Sequence, residues 1–218
     1  MRIVVIVLSF SLLSACAFTN VAVNPPASGL STQLSGGDGR ELVVHIPFAD
    51  ERQIRVRCGM KKNTYNMDTA SVLCSSEPTV WLARLLVEEL KAAGFTVKTN
   101  GVTTKPNGVK IEGLLLKFFI EPQIGFTTIA LETDVHIKLI ATSTSGLNAE
   151  RSFFVKGSNS ALTGMESNFQ PSVDDATRKI IRDMVSAILT LMNRYPELGI
   201  NSSIDHLTRV VLVVEEQS

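Results

Sequence analysis

Three cysteines, three histidines and a scatter of paired carboxylates are the side chains in this chain that could do chemistry. A nucleophile triad needs a Ser or Cys with a His and a carboxylate behind it, and the sequence holds no Gly-x-Ser-x-Gly elbow. His45 lies between Val44 and Ile46 on a strand-like run, where a packed core or edge histidine is expected rather than a base. His136 alternates with an apolar face and is expected to meet water, while His206 precedes an ambiguous tail. Glu132 and Asp134 stand two apart on one strand face, a spacing open to acid–base work but better read as a solvated surface. Asp174-Asp175 stands at an expected helix N-terminus, where negative charge is stabilising without any function. No phosphate loop, zinc spacing or EF-hand pattern is present, so neither a cofactor nor a metal is expected, and no enzyme.

The N-terminus carries the strongest pattern. Met1-Arg2 precedes an apolar run from Ile3 to Leu13, then Leu13-Ser14-Ala15-Cys16. A short positive segment followed by an apolar core is the form of an export signal, and the run is too short to span a bilayer, which takes ~20 apolar residues. Small residues at 14 and 15 admit a peptidase, and the Cys16 thiol can take a diacylglyceryl group. The tetrapeptide resembles the bacterial lipobox at every position, which implies cleavage before Cys16 and anchoring on a membrane through the acylated cysteine. Two acyl chains hold stably where one is marginal, since each buried methylene contributes about 0.8 kcal/mol. Enterobacterial lipoproteins retained at the inner membrane carry Asp after the cysteine. Here that residue is Ala17, so the resemblance implies sorting to the outer membrane, facing the periplasm.

With Cys16 acylated, Cys58 and Cys74 remain. In an oxidising compartment two leftover cysteines are expected to pair, closing a loop of about 16 residues and contributing on the order of 3 kcal/mol in the chain-entropy model. The alternative, a metal site, lacks a CxxC and clustered histidines. Around the first of these cysteines, Arg52, Arg55, Arg57, Lys61 and Lys62 fall within 11 residues without an intervening acid, and Tyr65 and Met67 follow. Such a segment is a candidate surface for an anionic partner, at about 1 kcal/mol per basic side chain near an anionic membrane. It is also what an edge strand carries to discourage sheet-to-sheet association.

The whole chain is formally neutral, so nothing draws it to nucleic acid. Its length suffices for one sizeable core. Four segments are expected: a signal peptide over 1–15, a lipidated flexible tether over 16–40 rich in Pro, Ser and Gly, a single domain over 41–200, and a tail over 201–218. Within the domain, strands are expected over 41–48, 54–58, 95–98, 109–121, 131–142 and 151–158. In the third-last of these, Leu114, Leu116, Phe118 and Ile120 are placed on one face. The cleanest alternation is Leu131, Thr133, Val135, Ile137 and Leu139 against Glu132, Asp134, His136 and Lys138, one face buried and one wet. One helix follows Ser75-Ser76-Glu77-Pro78 with a stripe of Leu82, Leu85, Leu86, Leu90 and Ala93, ended by Gly94. A second opens at Pro171 with Ser172 and Asp175 as a capping box and a stripe of Ala176, Ile180, Met184, Ala187, Ile188, Leu191 and Tyr195. Residues 203–214 read as strand or short helix. The whole is α+β: an antiparallel, possibly mixed, sheet of about four to six strands with two helices on one face.

The lipobox, Asp50-Glu51-Arg52 before a basic strand, the helix Trp81-Leu82-Ala83-Arg84-Leu85-Leu86 running to Ala93-Gly94-Phe95, and the strand–turn–strand from Glu132 to Gly157 before the Ser172 helix together resemble the YajG-like family of bacterial outer-membrane lipoproteins. The likeness covers about Leu42 to Ile200, and the Cys58/Cys74 pair departs from it. It implies a small periplasmic domain on a lipid anchor with no established activity, and it carries over no functional residue except Cys16. The expected role is a non-enzymatic envelope lipoprotein that binds an envelope protein or supports an assembly. The alternative is an auxiliary subunit of an envelope lipid or solute transport system. It is suggested by Leu114-Leu115-Leu116 and Phe118-Phe119, which are apolar on both faces of one strand.

Overall fold

The computed structural model describes residues 19–27, 32–63, 65–103, 108–125, 129–161 and 168–194 of the 218-residue chain. The signal peptide, Cys16 and the tail over 201–218 lie outside the described residues. In chain order the elements are β1 (Val21–Val23), β2 (Glu41–Val44), β3 (Ala49–Asp50), β4 (Gly59–Lys62), β5 (Asp68–Cys74), α1 (Pro78–Ala92), β6 (Thr96–Thr99), β7 (Val109–Ile124), β8 (Ile129–Ser143), β9 (Asn148–Ala161) and α2 (Phe169–Arg194).

The spine is β7. Along one of its edges β2, β3 and β4 are laid in succession, all parallel to it, through Leu42↔Val109, Ala49↔Leu114 and Gly59↔Ile120. Its other edge is filled by β8, and β9 pairs β8, both antiparallel. Beyond β4 the sheet continues through antiparallel β5 to parallel β1; beyond β2 it ends in parallel β6. The fold is α+β as expected, with a mixed sheet of nine strands among the described residues rather than four to six. The additional strands are short, and each is stabilised by a neighbour distant in sequence.

Both helices cover one face. Trp81 of α1 meets Phe118 of β7 edge to face, with ring centroids 5.4 Å apart. On α2 the Ser172 hydroxyl bonds Thr133 Oγ1 of β8 at 2.7 Å. Every second residue of β8 from Leu131 to Ser143 is buried beneath them, as the alternation predicts. In β7 the phase breaks. The register shifts between Leu115 and Lys117, a bulge that sets two residues against one. Leu115, Phe118 and Ile120 therefore point into the core, and Leu114 and Leu116 do not. The expected single face of Leu114, Leu116, Phe118 and Ile120 is corrected accordingly.

Helix α1 starts on Pro78 with Glu77 as N-cap and no side-chain cap bond. It ends as expected at Gly94, at φ 96°. There the Phe95 amide reaches the Leu90 carbonyl and the Gly94 amide the Lys91 carbonyl, the paired bonds of a Schellman close. The expected capping box on α2 is also corrected. The helix begins earlier, Ser172 is buried inside it, and its hydroxyl also donates to the Phe169 carbonyl. Asp175 instead accepts from the Ser158 amide of β9 and from Lys179. Helix α2 lies so close to β9 that a Cβ at Gly157 would sit 2.2 Å from the Ser172 carbonyl oxygen.

The stretch 16–40, expected as a flexible tether, is in its described parts built into the domain. Val21 and Val23 are buried in β1 against β5. Thr32 donates through its amide and hydroxyl to Glu89 on α1, each at 2.9 Å. The Gly37 amide donates to the Ala93 carbonyl at 2.8 Å, and a Cβ there would lie 2.4 Å from the Phe95 nitrogen. Of the glycines that suggested flexibility, Gly37 serves close approach to the end of α1.

Candidate functional site

Cys58 precedes β4 and Cys74 ends β5, two antiparallel strands in register through Gly59↔Val72. Their sulfurs form a disulfide, Cα to Cα 5.7 Å, across the open end of this hairpin. Cys58 also bonds both neighbours through its backbone: its amide to the Val72 carbonyl, and its carbonyl to the Ile120 amide of β7. The pair braces the junction of hairpin and spine.

The basic residues around it do not form one surface. Arg52 is buried and donates from Nε and Nη2 to the two Asp50 oxygens, each at 2.9 Å, with Nη1 3.8 Å from Cys58 Sγ. That guanidinium holds the Asp50 carboxyl below the usual carboxylate range, against the upward push of partial burial. Lys61 is also buried, its ammonium on the Thr19 carbonyl at 3.1 Å. Lys62 pairs with Glu121 of β7. Arg55 is exposed and bonds the Arg52 carbonyl, and Arg57 is half-buried. Residues 54–58 are not the expected edge strand: strand pairing begins at Gly59, and Val56 is 88% exposed. The segment is a loop joining β3 to β4 alongside β7.

The remaining candidates separate widely. His45 is exposed beside β2, not packed. Glu132 and Asp134 stand on the face of the sheet away from the helices, where Lys156 reaches both and Lys117 reaches Asp134. Asp174 accepts from Gln170 and lies inside α2. Among the described residues no group of three His, Cys, Asp or Glu side chains converges to hold a metal. A groove of about 380 Å³ beside α1 is lined by Ile46, Arg84, Val87, Glu88, Lys91, Thr99 and Asn100. Five of its seven lining residues are polar or charged, which suits an apolar ligand poorly.

The outer face of β7, β8 and β9 is the broadest feature that the sequence only half disclosed. Its pairs Lys110–Glu112, Lys117–Asp134, Lys138–Glu150 and Lys156–Glu132 tie charges together along and across strands. Among them stand Leu114, Leu116, Phe119, His136 and Ile140, all half-buried, and Phe154, 55% exposed. The His136 and Phe154 rings meet edge to face, centroids 6.1 Å apart. The apolar pairs Leu114–Leu116 and Phe118–Phe119 signalled this patch; the bulge decides which members reach it.

No family model and no curated protein matches the sequence. Among solved structures, protein XCC0632 from Xanthomonas campestris, of family model DUF330, is 14% identical. It superposes with a TM-score of 0.54 over 82% of this chain and 99% of its own. The hypothetical protein CT253 from Chlamydia trachomatis, 8% identical, gives 0.41 over 69% and 96% of the two chains. A minor lipoprotein from Acinetobacter baumannii, 12% identical, gives 0.35 over 72% and 93%. At these identities the Xanthomonas likeness is one of fold. Among the described residues no helix is long and apolar enough to cross a membrane.

Proposed function

We propose that this chain is a non-enzymatic envelope lipoprotein of the YajG-like kind. Cys16 holds it at the outer membrane, and the outer face of β7–β8–β9 meets an envelope protein. One observation carries the reading: apolar side chains, Phe154 foremost, stand on a broad face whose acids and bases are already matched in pairs. Such a face offers area for docking. Leu114, Leu116 and Phe119 on the same face support a second reading, an auxiliary subunit of an envelope lipid or solute transport system.

Crosslinking in cells tests both. A photoreactive residue at Phe154 in the intact lipoprotein is expected to capture a specific envelope protein. One at Glu88, beside the polar groove, should not. A Cys16→Ser control should release the protein from the membrane and lose the capture. A transporter component in the crosslink selects the second reading, and bulk porin or lipid alone from position 154 would sink the partner idea.

A further inference from the structure

We infer that the tip of the β4–β5 hairpin, Tyr65 with Met67, rests in the interfacial layer of the bilayer that holds the anchor. The inference rests on lipid attachment at Cys16. It begins with where the described chain starts. Strand β1 runs parallel to β5, Val21 beside Val72. One residue earlier, Asn20 Oδ1 accepts from the Ser71 amide at 3.0 Å, and the Thr19 carbonyl accepts from Lys61. Thr19 thus stands level with Ala70, at the end of β1 toward which β5 leads back to the hairpin turn. Cys16 is three residues further, and three extended residues span at most about 11 Å. From Ala70 back to Met67 is also three residues. The acylated residue therefore lies within about 11 Å of Thr19, which stands level with Ala70, three residues from Met67.

The tip suits that position. Asn63 Oδ1 accepts from the amides of both Tyr65 and Met67, and the Asn63 amide donates to the Met67 carbonyl. Asn66 takes the left-handed conformation at φ 62°. The turn is therefore fixed by its own bonds, and the disulfide clamps the hairpin's other end. On it Tyr65 is 82% and Met67 56% exposed. A tyrosine ring, apolar in body and polar at its hydroxyl, is the side chain enriched at headgroup level. Methionine adds a flexible apolar contact. Net charge does not drive the contact, because Lys61 is buried and Lys62 is paired with Glu121.

The test places a fluorophore at each end of the molecule. Intact lipidated Tyr65→Trp and Leu147→Trp variants are reconstituted in phosphatidylethanolamine–phosphatidylglycerol vesicles doped with brominated phospholipid. Leu147 is exposed at the β8–β9 turn, and Ser143 beside it pairs Val109. About 35 Å of β7 separates that end from Ile120, the partner of Gly59 at the hairpin's base. Native Trp81, buried at 6% exposure, serves as internal reference. The expected result is loss of most emission from position 65 with none from position 147 or Trp81. Equal, unquenched emission from 65 and 147 in protein that still floats with vesicles overturns the inference and leaves anchoring intact. A crosslink from position 65 to a protein instead of lipid overturns it as well. Flotation of a Cys16→Ser variant as complete as that of the native chain overturns the anchoring on which it rests.

Discussion

Arg52 and Asp50 show how far a residue's meaning depends on its partner. Arg52 is nearly sealed from water, and both Asp50 oxygens answer it. Asp50→Asn would leave a buried guanidinium half-answered, which costs about 1–3 kcal/mol. The pair's sign against pH follows from its depressed carboxyl. Its contribution is fully present above the unfolded carboxylate value, about 4, and is lost as pH falls through the lower folded value. Urea unfolding should therefore separate the native and Asp50→Asn proteins at pH 7 and bring their midpoints together in strong acid. A gap unchanged by pH would deny the pair this role. The disulfide predicts a second loss: Cys58→Ser/Cys74→Ser should lower stability by about 3 kcal/mol, with dithiothreitol moving the native midpoint toward that of the variant. The cysteine pairing was legible because the expected export signal and the cysteine count leave these two together. The fate of the basic run was not. Its partners Glu121 and Thr19 lie 59 and 42 residues away, and charge spacing along a chain carries no trace of a cross-strand acid.

Among the elements, legibility followed length and self-sufficiency. The 15-residue alternation of β8 and the leucine stripe of α1 declare themselves, since each has a periodic buried face of its own. Strand β1 is three residues long and is held by the β5 edge, so Val-Ala-Val in a Pro- and Gly-rich stretch carried no strand signal. The bulge in β7 hid in three consecutive leucines, any of which satisfies either face. Two expectations follow from these contacts. Val23→Asp puts a charge where the native side chain is 2% exposed. It should free β1, so that limited proteolysis trims residues 19–40 from the variant while the native chain resists. Resistance in both would mean that the Gly37 and Thr32 contacts alone hold the segment. Gly157→Val confronts the α2 backbone directly, and overpacking of this kind costs about 1–3 kcal/mol. Thermal unfolding should register that drop, whereas Gly146→Val, with open space around its Cβ, should suffer only the strain of its positive φ.

At the scale of the molecule, the two helices and the sheet sort core from surface, and function falls to what the sheet leaves uncovered. The ion pairs on the outer face are individually worth about 0–1 kcal/mol, being largely exposed, so they tune the face more than they hold the fold. The long strands set a direction as well. With the anchor and the Tyr65 tip at one end, as proposed, β7 would carry the outer face up to about 50 Å along its length. Phe154, opposite His136 midway along β8, then stands clear of the membrane. A partner in the envelope could reach it without displacing any element of the domain. Removing that ring should separate binding from folding. Phe154→Ser changes a side chain that is 55% exposed, and surface substitutions of this kind stay within about 0.5 kcal/mol. The urea midpoint should be unmoved, while capture by a crosslinker placed next to it, at Ser152, should fall to the level of the Glu88 position. If stability drops with capture, the ring belongs to the fold. If neither changes, the partner meets the chain elsewhere.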